Sequence, residues 1–547
     1  MSVVFPAFVR QAVVIAAWLD RHALAVVIAF VAATIAVIGP FATNDGPVHM
    51  SFARTLWWGF DGPTQAALYE RRLQPVPNLI GYLLAGPLLP MLGPDGAEAI
   101  LQALCLVALP LGGAVVAAAF GTRGGPFPGL FGVLGMNRLF LLGLYNFCLS
   151  LGFALAAFGA AVRALRGQHR WWWVLAGALA ATVVSHGGGL MLAVVLIAGW
   201  TLPVLAGDLA QMPSVAAAAR RYVPLAVAVL PTAAFVVAHA ALAGPGRLDH
   251  GPGLGERLGA LFDLYMFALH GPRAGAAPGV ALLVLSGLAL LALVRRWQRA
   301  AQDRTALPAA ASLILIPGGT LALYLIFPDE AGGGWDHSKR LLVMFWVTVA
   351  VIAATEPLGR TLRHAATVLA TLSLAGVLAA ALADQRDARA AVNEADRLLE
   401  TVPRSCEIVP LITEPRNVGT RQLKITYEPL FQIATRAEHS GDRVVLFNYL
   451  ARLGPYPTQY RAGMDPHGPL FGWLPEQRSS AIRVLDIGRY ETTTGRSVDY
   501  VFVQGERLDR IVLPPDFTEQ FVEVAASPWA GMRLFRRIGL AGQGSCP

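Results

Sequence analysis

Charged side chains are scarce in this sequence: Asp, Glu, Lys and Arg make up 14 % of the 547 residues, against 55 % hydrophobic. With a mean hydropathy of +0.53 and well under the charge of an ordinary globular domain, the chain is expected to be a polytopic α-helical membrane protein. Low-complexity tracts are missing, as is any internal repeat, inverted repeats included; a transporter built from such repeats is therefore disfavoured. Met1 to Asp20 is only mildly apolar and carries Arg10 before Arg21-His22, so no cleavable signal peptide is legible and the first span is expected to stay as an anchor. The net charge of +8 gives no nucleic-acid signal, because the basic residues fall in short loops between apolar runs.

Those runs, each long enough to cross about 30 Å of hydrocarbon, lie at 22–39, 76–92, 97–120, 139–164, 171–185, 188–206, 222–242, 278–295, 307–327, 340–355 and 364–383. They hold almost no Asp or Glu, which speaks against ion-coupled transport. The expected fold is a membrane body over 1–383 with about 11 transmembrane helices, a helical linker at 384–400 and a soluble C-terminal α/β domain at 401–547. Basic clusters set the orientation: Arg163, Arg166, His169 and Arg170; Arg220-Arg221; Arg295, Arg296, Arg299 and Arg304; Arg360 and Arg363. Placed in the cytoplasm, they put the N-terminus inside and the tail outside. Residues 126–138, apolar but short and broken by Pro and Gly, are expected to be re-entrant or interfacial, because a full span there would invert everything downstream.

The outer face then receives loops 40–75, 243–277 and 328–339, and the break Ser185-His186-Gly187-Gly188-Gly189. Residues 254–267 read as a helix lying on the bilayer surface. In the tail, 443–448, 498–503 and 521–525 alternate as strands, a helix is expected near 428–439, and 453–473 is a long Gly-, Pro- and Tyr-rich loop. The tail shows no nucleophile elbow, phosphate loop or metal cluster. Cys105 and Cys148 fall inside spans, whereas Cys406 and Cys546 bracket the tail and form a disulfide candidate in an oxidising compartment.

The chemistry concentrates just after the first span, in Thr43-Asn44-Asp45-Gly46-Pro47-Val48-His49. A helix starting near Pro47 brings Asp45 and His49 to one face, where both can touch one ligand. The competing reading makes Asp45 the N-cap of that helix. Two basic groups stand outside against the usual bias: Arg71-Arg72, and Lys339-Arg340 after Asp336-His337-Ser338 at the start of a span, where the helix dipole disfavours cations. A phosphate or diphosphate would relieve both; pairing with Asp329, Glu330 and Asp336 or with lipid headgroups would do so too. His186, before three glycines, is a weaker candidate, as are Asp249-His250 and Tyr145-Asn146.

This arrangement resembles the GT-C superfamily of integral-membrane glycosyltransferases. The likeness rests on Asp45, His49 and Arg54 in the first outer loop and on the Pro-rich lead-in Gln74-Pro75-Val76-Pro77 to the second span. It implies transfer of a sugar from a polyprenyl-phosphate-type carrier to an extracytoplasmic acceptor, a glycan, lipid or protein of the cell envelope. Asp45 would be the general base and His49 its orienting partner; Arg54, Arg71, Arg72, His186, His337, Lys339 and Arg340 would be the substrate and phosphate ligands, with inversion at the anomeric carbon. The partners implied are membrane lipid and the lipid-linked sugar, the donor substrate. No cofactor is required, and Asn44 and Gly46 flank Asp45 where many members carry paired acids, so a divalent metal is not indicated. The expected location is a bacterial-type inner (plasma) membrane, with the N-terminus cytoplasmic and the tail periplasmic or extracellular. The alternatives are a transporter or flippase of lipid-linked or small polar substrates and a non-catalytic subunit of an envelope assembly.

Overall fold

A computed structural model describes residues 4–72, 77–122, 125–211, 214–242, 251–262, 266–267, 276–330, 336–423, 427–439, 441–452, 456–472, 484–505, 512–539 and 546. In chain order the helices before the tail are α1 (Val4–Ile38), α2 (Gly46–Trp58), α3 (Pro63–Leu68), α4 (Ile80–Ala85), α5 (Leu89–Ala119), α6 (Phe127–Gly135), α7 (Arg138–Leu141), α8 (Tyr145–Leu165), α9 (Trp171–Ser185), α10 (Gly187–Gln211), α11 (Val215–Leu242), α12 (Leu254–Phe262), α13 (Ala276–Gln302), α14 (Leu307–Ile326), α15 (His337–Ala354) and α16 (Arg360–Leu399). The chain divides into two compact units that do not follow chain order. One holds residues 1–36, 102–140 and 145–381; the other holds 37–101, 141–144 and 382–547.

The first unit is the apolar helical body of a multi-pass membrane protein. Among the described residues nine helices are long and apolar enough to cross a membrane, and α9 is a shorter apolar one. Small residues let the backbones close: a Cβ on Gly152 would sit 2.5 Å from the Ala108 carbonyl oxygen, and one on Gly159 would sit 3.1 Å from that of Val115, the packing by which membrane helices associate without a hydrophobic drive.

One expectation about the spans is corrected. Residues 76–92 are not a separate span. Within the described part, α4, a 3-10 turn at Gly86–Leu88 and the start of α5 run only to Gly93, whose φ of 68° and ψ of 176° break the helix; thirteen residues reach only about 20 Å. Trp57 and Trp58 of α2 donate their indole N–H groups to the carbonyls of Tyr82 and Gly86, at 3.1 Å each, which fastens the segment to α2. Residues 126–138, expected to be re-entrant or interfacial, hold the short helix α6 and the start of α7. Gly125 donates to the Asp20 carbonyl, Gly129 lies against Ala370, and Gly132 lies between Val27 and Leu374. The segment thus climbs beside α1 and α16 in step with both, with every residue of α6 buried.

The second unit is built on a mixed five-stranded sheet in the order Phe521–Ser527, Met532–Arg537, Tyr500–Gln504, Glu407–Ile412, Val444–Val445. The first three run antiparallel and the last two pairings are parallel. Glu407–Ile412 is buried throughout, as a strand covered on both faces must be. Its Pro410, which has no N–H to give, lies beyond the two residues paired with Val444–Val445. The expected strand 443–448 shortens to those two residues, and the helix expected near 428–439 is a 3-10 helix over Ile433–His439. The surface helix expected at 254–267 is regular over Leu254–Phe262. Residues 384–399 of the expected helical linker are the C-terminal part of α16, which runs unbroken for 40 residues.

The loop after α1 is folded into this unit. Tyr69–Arg71 pairs antiparallel with Thr458–Tyr460, Tyr69 opposite Tyr460 with their rings stacked at 5.2 Å. The Asp442 carboxylate accepts from the amides of Thr64 and Gln65 at 3.0 and 2.9 Å, which satisfies the first turn of α3. Tyr427 donates to the Ala42 carbonyl, and the Ala42 amide donates to Gln385, fixing where the loop leaves α1.

Cys406 and Cys546 form the disulfide. With 140 residues between them, the chain-entropy argument gives an upper bound of roughly 4 to 5 kcal/mol. Reducing the purified protein should therefore lower the thermal midpoint of the tail by several degrees, read by differential scanning with and without reductant; a Cys406→Ser variant should show the lower midpoint and no further response.

Candidate active site

Asp45 sits where α2 begins, with φ −103° and ψ −1°, yet its side chain makes no capping bond to the α2 amides. Its Oδ1 accepts from the Tyr449 hydroxyl at 2.7 Å and from Asn44 Nδ2 at 2.6 Å. The capping reading is thereby set aside, since the carboxylate is held by a tail residue 404 positions away. Oδ2 receives no hydrogen bond among the described residues. Burial, with only 4 % of the residue exposed, pushes the Asp45 carboxyl up to about 6 against the opposing pull of the Tyr449 and Asn44 bonds.

The backbone around it is clamped. Asn44 and Asp45 donate their amides to the carbonyls of Leu141 and Leu142 at 3.2 and 3.1 Å. Gly143 follows at φ +87°, where an added Cβ would sit 3.1 Å from the Asp45 Cβ and from the amide nitrogens of Asp45 and Gly46. Gly46 is equally hemmed in, by Glu98 and Thr43. Gly143→Ala meets both a left-handed backbone, costing about 1 kcal/mol or more, and this contact. It is expected to cut activity severely while leaving membrane insertion intact, with turnover and expression compared in parallel.

His49, one helical turn on, places Nδ1 2.8 Å from the Tyr82 hydroxyl, and the Gly143 backbone engages the same ring. Burial pushes the imidazole down to about 4, so it is neutral at physiological pH. The sequence brings Asp45 and His49 into one buried patch as helix spacing implies.

A second carboxylate lies deeper. Glu438 accepts from Ser51 of α2 at 2.8 Å, from Tyr69 at 3.0 Å and from the Val445 amide at 2.9 Å. Even so, burial holds it up at about 7. Next to it His439 Nε2 donates to the Pro47 carbonyl at 2.7 Å, and burial pushes that ring down to about 4. Arg54 is spent on the same junction, donating to Asp61 at 2.7 Å and to the His439 carbonyl at 3.1 Å. Beside it a cavity of about 230 Å³ is bordered by Asp95, Asp396, Arg436 and Arg443, with Arg436 tied to Asp396 and Asp95.

The other expected ligands are placed as follows. Arg72 pairs with Glu70 at 2.6 Å, and Arg71 donates to the Leu56 carbonyl at 3.4 Å. In the helical body His186 Nδ1 accepts from the Gly188 amide at 2.8 Å, and its ring meets Phe147 edge-on. Burial, together with nearby Arg340 and His337, keeps this imidazole well below its ordinary value. At the start of α15 the Ser338 amide donates to Asp329, and Lys339 pairs with Asp336 at 2.6 Å. The His337 ring packs edge-on against Phe327. Ser338, Lys339, Arg257 and Tyr324 border a largely apolar cavity of about 150 Å³. Asn146, the weak candidate in α8, is buried. Asp249-His250 and Gln74-Pro75-Val76 lie outside the described residues. The one described group with ligand atoms close enough to share a metal is Cys406, Asp499 and Cys546, and the disulfide occupies both sulfurs.

Tyr449 and Glu438 were not legible in the sequence. Neither stands in a motif; what singles them out is the fold that carries the tail onto α2.

No protein-family model and no curated protein matches the sequence. Among solved structures, ArnT from Cupriavidus metallidurans in the apo state is similar at 10 % identity and a TM-score of 0.53, over 95 % of this chain and 99 % of that one. The same protein bound to undecaprenyl phosphate is similar at 10 % identity and 0.52, over 96 % and 98 %. The arabinofuranosyltransferase AftD from Mycobacteria gives 15 % identity and 0.47, over 94 % of this chain and 40 % of that one. At such identities the likeness is one of fold alone, the fold of the two ArnT structures.

Proposed function

We propose that the chain is a membrane glycosyltransferase that moves a sugar from a polyprenyl-phosphate-type carrier to an extracytoplasmic glycan, lipid or protein acceptor. The observation that carries this reading is Asp45: a buried carboxylate, held by Tyr449 and Asn44 instead of by its own helix, with a second oxygen left without a donor among the described residues. An acceptor hydroxyl attacks the anomeric carbon, its proton passes to Asp45, and the bond from that carbon to the carrier phosphate breaks with both electrons leaving on phosphate. Attack opposite the departing oxygen inverts the anomeric centre. A base titrating near 6 is ionised at neutral pH yet basic enough to share the proton in the transition state. The disulfide between Cys406 and Cys546 suits an oxidising compartment, which supports a tail on the outer side of a plasma membrane and an N-terminus in the cytoplasm.

The test is direct. The purified full chain in lipid nanodiscs is supplied with a panel of radiolabelled monosaccharides linked to undecaprenyl phosphate, with and without an envelope acceptor fraction. Acceptor-dependent release of undecaprenyl phosphate from one member of the panel is expected. Movement of intact lipid-linked sugar across a vesicle bilayer, without cleavage, would make the chain a flippase instead.

A further inference from the structure

We infer that Tyr449, a residue of the tail, positions the base of the transfer reaction by fixing which oxygen of Asp45 is left to receive the acceptor's proton. This rests on the reading of Asp45 as that base.

Both donors to Asp45 converge on Oδ1, the phenol of Tyr449 at 2.7 Å and the Asn44 amide at 2.6 Å. An oxygen that already accepts two hydrogen bonds is the poorer base, so the proton goes to Oδ2. The Asn44 bond comes from the adjacent residue and moves with Asp45; only the Tyr449 bond fixes the carboxylate against a separate element. That element is stiff. Tyr449 opens the 3-10 turn Tyr449–Arg452, the Asn448 amide before it donates to the Tyr460 hydroxyl at 2.9 Å, and the Asn448 side chain accepts from the Ala451 amide at 3.3 Å. Tyr460 in turn stacks on Tyr69 in the ladder that joins tail and loop. On the other side the Asp45 amide is pinned to Leu142 and its Cβ faces Gly143. The tail is therefore part of the active site, and without the Tyr449 hydroxyl only the adjacent Asn44 would hold the carboxylate.

The ionisable groups around the carboxylate are Tyr449 from the tail, Tyr82 from α4 and His49 from α2, with Glu98 against Gly46. Burial keeps His49 neutral, and a phenol donating to a carboxylate favours its charged form. Loss of the Tyr449 hydroxyl should therefore make Asp45 harder to ionise and less well oriented.

The experiment uses the full chain in nanodiscs as wild type, Tyr449→Phe, Asp45→Asn and Phe431→Leu. Phe431 packs 6.1 Å from the Tyr449 ring, so its variant perturbs packing and leaves the hydroxyl in place. The carboxyl stretch that disappears in Asp45→Asn is titrated by infrared difference spectroscopy, and kcat/KM for the transfer is followed from pH 5 to 9. For Tyr449→Phe the infrared midpoint and the acid limb of the rate profile should both move up by about one pH unit. Its rate at pH 6 should fall about five-fold and recover toward the wild-type value above pH 8, with the thermal midpoint held. Phe431→Leu should move neither quantity. If Asp45→Asn is inactive but Tyr449→Phe leaves both midpoints where they were, the positioning role is overturned and the base stands. If Asp45→Asn turns over normally, the base falls and the positioning role falls with it.

Discussion

Asp45→Asn is expected to lower sugar transfer by a factor of about 10² to 10⁴, the usual contribution of a positioned general base, with the protein still folded and inserted. The two halves of that expectation have separate physical grounds. Asparagine has the shape of aspartate, and its carbonyl oxygen can still accept from Tyr449 and Asn44, so neither donor is orphaned. The carboxylate is ionised at neutral pH only against the cost of burial, which lifts it to about 6. Replacing it with a neutral amide removes that cost, and the thermal midpoint should hold or rise slightly. What is lost is the ability to take a proton from the acceptor hydroxyl, which an amide cannot do at any pH. Initial rates with the lipid-linked donor, measured beside the thermal midpoint of the same preparation, decide the matter. Unimpaired turnover would sink the proposed role of Asp45, and a collapsed midpoint would mean that the carboxylate is needed for structure.

How far these features can be read from the sequence depends on where their causes lie. Most of the spans are legible because length and hydropathy are local. For two segments what decides their packing is not local. Residues 76–92 are apolar enough to span, but Trp57 and Trp58 bind the carbonyls of Tyr82 and Gly86, and Gly93 breaks the helix behind them. Residues 126–138 contain Pro and Gly that read as breakers, yet Gly129 and Gly132 let α6 press against α16 and α1. Glycine marks a stop in one and a close approach in the other, and composition cannot tell these apart. The same holds at the site. Asp45 and His49 stand out because their spacing matches a helical turn, whereas Tyr449 and Glu438 act across sequence separations of 404 and 387 residues. The choice between cap and ligand for Asp45 could not be made locally, since Gly46-Pro47 suits both; it is made by a hydroxyl from the tail.

The four buried ionisable groups where α2 meets the tail should together contribute little net pH dependence to thermal stability between pH 4.5 and 6.5, and single substitutions among them should tilt the profile in opposite directions relative to the wild type. Burial lifts Asp45 to about 6 and Glu438 to about 7. In this window the folded protein holds protons on these acids that the unfolded chain has released. Their contribution therefore favours the fold at low pH and is lost as pH rises through 6 to 7. Burial drives His49 and His439 down to about 4. Here the unfolded imidazoles take up protons that the folded ones refuse, so the contribution is present above about 6.5 and is lost as pH falls toward 4. Each group carries on the order of 3 kcal/mol across its range, the displacements are similar in size, and two slopes of each sign nearly cancel. Glu438→Gln keeps an acceptor for Ser51 and Tyr69 but removes one acid, so its midpoint should climb with pH by several degrees. His439→Asn can still donate toward Pro47 and removes one imidazole, so its midpoint should drop over the same range. Variants whose slopes, each taken relative to the wild type, shared one sign would mean that the junction of α2 with the tail does not fold with these four groups uncharged.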